Sequence, residues 1–215
     1  MYDNIFDIID SEEKAYWLGF IYADGYIASI TNTKKKSYRI EVSLNENDKN
    51  HLEKLSTFLG ISKEVKIYKT NYPRKNRARL FFNNKIIWNR LNSLGCKPNK
   101  SLTLEFPNIN IFSSTSLIKH FIRGYIDGDG CIYIGKDYNS LKITGTYNFL
   151  NNIQFNLPLE SINKVWKKKN ANVFDLTFNN KRGLYILNYL YKEATIFLDR
   201  KYIKYKEYCR LYEES

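Results

Sequence analysis

YWLGFIYADGYIASI, residues 16–30, and FIRGYIDGDGCIYI, residues 121–134, decide how the rest of the chain is read. Each is an apolar, helix-length run that stops on an Asp-Gly pair, Asp24-Gly25 in the first and Asp129-Gly130 in the second. A helix C-terminus carries partial negative charge, so an anion there is disfavoured by about 0.3–1 kcal/mol. Lys or Asn would avoid that cost. The same unfavourable choice made twice points to a task the two acids share.

Other landmarks repeat in the same order. FNNK occurs at 82–85 and again at 178–181, and Leu-Asn at 91–92 and 187–188, both at an offset of 96; the Asp-Gly pairs lie 105 apart. Matched landmarks at nearly constant separation indicate a tandem duplication with drifted loops.

Each half then reads alike. A capping-box pattern, Asp10-Ser11-Glu12-Glu13, starts the first helix, and the second begins near Ser116. Strands are predicted over 26–31 and 38–44, and over 132–135 and 141–144. In SYRIEVSL, Ile40, Val42 and Leu44 fall on one face and Arg39, Glu41 and Ser43 on the other. A helix follows (48–59; 147–156), then a strand pair (65–70 with 77–82; 162–168 with 173–178), then a closing helix (85–94; 181–191). The fold class is α+β: two pseudo-twofold-related αββαββα halves, each a four-stranded antiparallel sheet backed by helices. Residues 1–105 form the first half, 106–115 a linker and 116–215 the second.

The Asp-Gly helices carry small residues four apart, Gly19 with Ala23 and Gly124 with Gly128. Small residues at i and i+4 make a flat strip that admits a second helix backbone closely. In a duplicated chain each strip is the natural partner of the other, and parallel packing brings Asp24 and Asp129 to one end. Gly25 and Gly130 are expected to turn left-handed there, releasing the chain into a strand. Two carboxylates at paired negative helix ends repel each other, and a divalent cation resolves the conflict. All-oxygen donors suit Mg²⁺.

WLGFIYADG (17–25) and IRGYIDGDG (122–130) resemble the two signature motifs of the LAGLIDADG homing endonucleases, a likeness that extends over nearly the whole chain. The resemblance implies motif helices at a central interface, with Asp24 and Asp129 as metal ligands aided by the backbone carbonyls of Ala23 and Gly128. The earlier acidic position of the motif is Tyr22 in one copy and Asp127 in the other. The implied chemistry is phosphodiester hydrolysis, in which metal ions activate water and stabilise the leaving oxygen. The basic tags CKPNKS and LDRKY nominate Lys100 and Lys201 as paired catalytic cations, with Lys97 or Arg200 as alternates. Leu44 and Gly145 fall near the place of the polar residue with which the family orders solvent, so that either Asn45 or Thr146 substitutes or cleavage is slow.

A curved sheet pair of this kind lies along a DNA major groove with its outward side chains at the base edges. The outward candidates are Tyr26, Arg39, Glu41, Ser43, Lys66, Tyr68, Arg77 and Arg79, then Tyr133, Lys142, Thr144, Lys167 and Asp175. Arg39 and Arg77 suit guanine, and the runs 34–36 and 167–169 suit phosphate or solvent. Unlike halves imply a long, non-palindromic site, about ten base pairs per half.

The bulk numbers agree. Lys plus Arg number 34 against 22 Asp plus Glu, a formal charge of +12, which favours a polyanionic partner. Three scattered cysteines suit a reducing compartment, and two isolated histidines, His51 and His120, argue against a zinc site. MYDNIFDIIDSEEK lacks the charged start and apolar run of a signal peptide, and no apolar run approaches membrane length. The expectation is an intracellular, monomeric, Mg²⁺-dependent endonuclease acting on double-stranded DNA, from a mobile intron or free-standing gene. The alternatives are an intron maturase that binds RNA and a non-catalytic DNA-binding regulator on the same fold.

Overall fold

The structure is a computed structural model and describes residues 2–32, 35–61, 63–71, 73, 75–98, 102–169 and 171–213. The first half runs α1 (Glu12–Asp24), β1 (Gly25–Asn32), β2 (Lys35–Asn45), α2 (Lys49–Phe58), β3 (Lys66–Tyr68), β4 (Arg77–Asn83) and α3 (Lys85–Ser93). The second runs α4 (Ile118–Asp129), β5 (Gly130–Ile134), β6 (Asn139–Gly145), α5 (Tyr147–Phe155), β7 (Trp166–Lys167), β8 (Phe174–Asn179) and α6 (Asn180–Tyr191), and then adds α7 (Asp199–Glu213). The sheets have the same order, β1-β2-β4-β3 and β5-β6-β8-β7, every pair antiparallel. This is the duplicated α+β architecture that the repeat pattern predicts.

Register makes the duplication concrete. Gly25 pairs with Val42 and Val42 with Leu80; in the second sheet Gly130 pairs with Ile143 and Ile143 with Leu176. Ile40, Val42, Leu80 and Phe82 face the helices, as do Leu141, Ile143, Leu176 and Phe178, and all are buried. Ser11 caps α1, accepting from the Lys14 amide at 3.3 Å. The capping box is only half present, because Lys14 stands at the position where a Glu would reach back. Glu12 turns instead to Arg123 on α4, 2.6 Å away.

α1 and α4 form the centre of the molecule. From Ala15 to Tyr22, α1 is buried all round, as a helix clamped between two sheets must be. A Cβ on Gly19 would fall 2.0 Å from the Phe121 carbonyl oxygen, and one on Gly124 would fall 2.0 Å from that of Tyr16. At the repeat offset of 105 these are one contact seen from each side of the pseudo-twofold. Nearer the acids, a Cβ on Gly128 would meet the Ala23 Cβ at 2.4 Å.

The glycines after the acids serve a different purpose from the expected one. Gly25 (φ −75°, ψ 135°) and Gly130 (φ −80°, ψ 158°) are extended, not left-handed. What excludes a side chain is space, since a Cβ would lie 2.4 Å from the Ile21 oxygen and 2.6 Å from that of Ile126. The chain passes into a strand with no intervening turn. Left-handed glycines instead close α2 and α3, at Gly60 and Gly95.

The tail, whose structure the residue pattern left open, is α7. It packs on α6 and along β5, the edge strand of its sheet. The Lys201 ammonium donates to the Gly130 carbonyl and that of Lys204 to the Ile132 carbonyl, covering an edge that would otherwise present unpaired oxygens.

Candidate active site and nucleic-acid interface

Because α1 and α4 touch at Ala23 and Gly128, their C-terminal acids emerge side by side. The Asp24 carboxylate lies over Gly128, its Oδ2 3.1 Å from where a Cβ would stand. Asp24 is half-buried and Asp129 exposed. Tyr125, one turn before Asp129, senses both: burial, then the hydrogen bond and charge of Asp129, with Asp24 beyond, push its phenol well above the ordinary range. Two carboxylates thus lie within electrostatic reach of one hydroxyl, at converging negative helix ends. Among the described residues no three His, Cys, Asp or Glu side chains cluster as a metal site. A cation here would be held by these two acids and by backbone oxygens, a hard donor set that fits Mg²⁺ or Ca²⁺ and does not fit zinc.

The surroundings of the two acids differ. Beside Asp24 is a pocket of about 410 Å³ lined by Ser43, Leu44, Asn45, Asn47, Asp48, Lys75, Arg77, Gly128 and Arg200. Beside Asp129 is one of about 200 Å³ lined by Tyr22, Ala23, Leu104, Tyr125, Thr144, Gly145 and Val173. The first is polar and carries three cations; the second has none among its described lining residues. Leu44 and Gly145 stand at equivalent strand ends, as their register with Ala78 and Phe174 shows. Asn45 lines its pocket while its Oδ1 accepts from the Asn47 amide. Thr146 is committed elsewhere, donating to the Leu104 carbonyl and capping α5.

Of the nominated cations, Lys100 lies outside the described residues, as does Lys34 of the run expected at phosphate or solvent. Lys201 is buried beside the site, its ammonium turned to the Gly130 carbonyl; burial and Arg200 push its pKa down, against the attraction of Asp127, Cys131 and Asp24. Arg200 is the cation in the pocket wall, its Nε 2.9 Å from the buried carboxylate of Asp48, and its side chain is half exposed. Asp48, Lys75 and Tyr125 escaped the sequence reading. Tyr125 left a signal, because the first copy has Phe20 at the equivalent place.

The two residues at the earlier acidic motif position do structural work. The Tyr22 hydroxyl donates to the Leu94 carbonyl. Asp127 is fully buried, which pushes its pKa up, while donation from Tyr16 (2.6 Å), Tyr191 and the Leu198 amide (2.7 Å) opposes the shift. Since Tyr16 gives its proton to Asp127, the His51 Nε2 at 3.0 Å must be the donor to Tyr16.

On the outer sheet faces, Tyr26, Arg39, Glu41, Ser43, Arg77 and Arg79 share one side through the Tyr26↔Glu41, Arg79↔Ser43 and Arg77↔Asn45 pairs, and Lys66 and Tyr68 join them through β4. Tyr133, Lys142, Thr144 and Asp175 do the same in the second sheet. Lys167 does not. It pairs with Phe174, whose parity is that of the helix-facing side, and Trp166 opposite Asp175 takes the outward place, 59% exposed. A two-residue strand gave no alternation from which to read the parity. Arg77 is already engaged, its Nε donating to the Ser43 hydroxyl at 2.8 Å.

Residues 17–105 match the family model for LAGLIDADG endonucleases. The chain superposes on a double mutant of I-SmaMI (15% identity, 91% of this chain and 89% of that one, TM-score 0.63). It also superposes on the I-LtrWI LAGLIDADG homing endonuclease bound to target DNA (16%, 94% and 91%, 0.60) and on the meganuclease I-AabMI bound to uncleaved DNA (14%, 91% and 88%, 0.59). No curated protein matches the sequence. The first half thus matches the LAGLIDADG endonuclease model, and the chain as a whole has the fold of these LAGLIDADG homing endonuclease structures.

Proposed function

We propose that the protein is a monomeric, Mg²⁺-dependent endonuclease that cuts both strands of a long, non-palindromic DNA site. The observation that supports this most is the contact of the two motif helices at Ala23 and Gly128, with the Asp24 carboxylate over Gly128 and both Asp24 and Asp129 acting on Tyr125. The net charge of +12 and the outward arginines suit a polyanion along those sheets. Intron RNA gains no support from these features.

The acids, with the carbonyls of Ala23 and Gly128, would hold the cations, which when bound neutralise phosphate charge and lower the pKa of water. The remaining work falls to the chain. Asp48 steadies the Arg200 guanidinium in the Asp24 pocket, where it can meet charge developing on a scissile phosphate. Lys75 and Arg77 flank the same pocket and position the strand. The Tyr125 hydroxyl, donating to the Thr144 carbonyl at 2.9 Å, stands within the fields of both acids. Leu44 contributes an apolar wall, leaving Asn45 as the polar group placed to order solvent.

I-SmaMI has been crystallised on uncleaved DNA in the presence of calcium ions. By analogy, calcium should support binding without cutting here. The test is a target selected from random duplexes and cut in Mg²⁺. Asp24→Asn and Asp129→Asn should each bind that target and fail to make the double-strand break. Full cutting by either variant would refute the assignment.

A further inference from the structure

The centre of the first sheet's outer face holds a carboxylate that the base edges cannot reach. Glu41 is only 8% exposed, and both of its oxygens are taken: Oε2 by Arg39 Nη2 at 2.6 Å and Oε1 by Arg79 Nε at 3.0 Å. Each guanidinium also lies over an aromatic ring, Arg39 over Phe81 at 4.7 Å and Arg79 over Tyr68 at 4.9 Å. Long side chains on a sheet surface ordinarily sample many rotamers and lose that freedom on binding. Here one acid and two rings fix both in advance. Both terminal nitrogens of Arg79 and the second terminal nitrogen of Arg39 have no protein partner among the described residues.

We propose that Glu41 is a positioning residue that aims Arg39 and Arg79 at guanines, so that guanine specificity resides in the half of the target covered by β1–β4. The inference rests on the DNA-cleaving reading above. A guanidinium fork matches guanine O6 and N7, and no other base presents that pair of acceptors in the major groove. The second sheet offers no such device, since β5–β8 contain no arginine. Its outward Thr144 and Asp175 bond each other at 2.6 Å.

The experiment is selection of bound duplexes from a randomised library by the full-length protein in Ca²⁺. Wild type should recover guanine at one or two positions of a single half-site. Glu41→Gln should lower that preference by about tenfold, the discrimination one bidentate pair provides, and leave the other half-site's preferences unchanged. Glu41→Asp should restore part of it. If Glu41→Gln disturbs both halves alike, Arg79→Lys decides, because it keeps the charge and removes the fork. Loss of one guanine position there supports the proposal, and retention overturns it. Unchanged guanine preference in Glu41→Gln also overturns it. A wild type that recovers no duplex sequence overturns the DNA reading itself.

Discussion

Gly19→Ala tests the helix contact on which the site depends. Its new Cβ would stand 2.0 Å from the Phe121 carbonyl oxygen, whereas such contacts stay beyond 3.0 Å, so α1 and α4 must part by about 1 Å. Forcing a methyl group into a packed core costs about 3 kcal/mol, at the upper end of the usual range because the obstacle is backbone. Alanine returns about 1 kcal/mol of helix propensity. The net loss is then about 2 kcal/mol, which lowers a urea midpoint by about 0.7–1 M for a chain of this size. Gly124→Ala makes the same contact from the other side and should cost the same. The double variant should cost clearly less than the two together, since one separation relieves both clashes. Chemical denaturation of the four proteins, paired with cleavage rates, reads this out. An unchanged midpoint in Gly19→Ala, or strict additivity in the double, would refute the close-contact argument.

Removing the Tyr16 hydroxyl, as in Tyr16→Phe, takes a 2.6 Å hydrogen bond from the buried Asp127 carboxylate and should cost about 2–3 kcal/mol by denaturation. His51 is held down to about 3 by burial, with Lys54 and Arg200 adding to the effect, so the folded protein keeps it neutral while the unfolded chain protonates near 6.5. Stability should therefore fall as pH drops from 6.5 toward 3, by up to about 1.4 kcal/mol per unit from this group. A denaturation series between pH 7 and 5 should show a shallower fall in His51→Gln, with the remainder due in part to His120, held down to about 4 by burial and Arg123. Arg200→Ala should slow the strand served by the Asp24 pocket about 100-fold, so that nicked duplex accumulates; equal slowing of both strands would place Arg200 outside the chemistry.

The fold was legible because duplication wrote it twice. Drifted copies such as FNNK keep their spacing even where their local roles part: Asn84 caps α3, while Asn180 accepts from the Asn139 amide. The helix pair and its acids were legible for the same reason, since Gly19 and Gly124 are short of space at equivalent places. Features that belong to one copy only were not. Arg200 and Asp48 meet across 152 residues, and no local pattern announces such a pair. Tyr125 differs from its repeat mate Phe20 by one hydroxyl, whose bond to the Thr144 carbonyl and nearness to Asp129 only the fold reveals. The extended glycines were misjudged because sequence signals the absence of a side chain, not whether backbone angle or crowding requires it.

Crystals of the protein on its selected target, grown with Mn²⁺ in place of Mg²⁺, allow the ions to be located by anomalous scattering. Anomalous density is expected against the Asp24 and Asp129 carboxylates, and its presence there would support their role as cation ligands. Manganese bound only at other places, with those carboxylates bare, would contradict it.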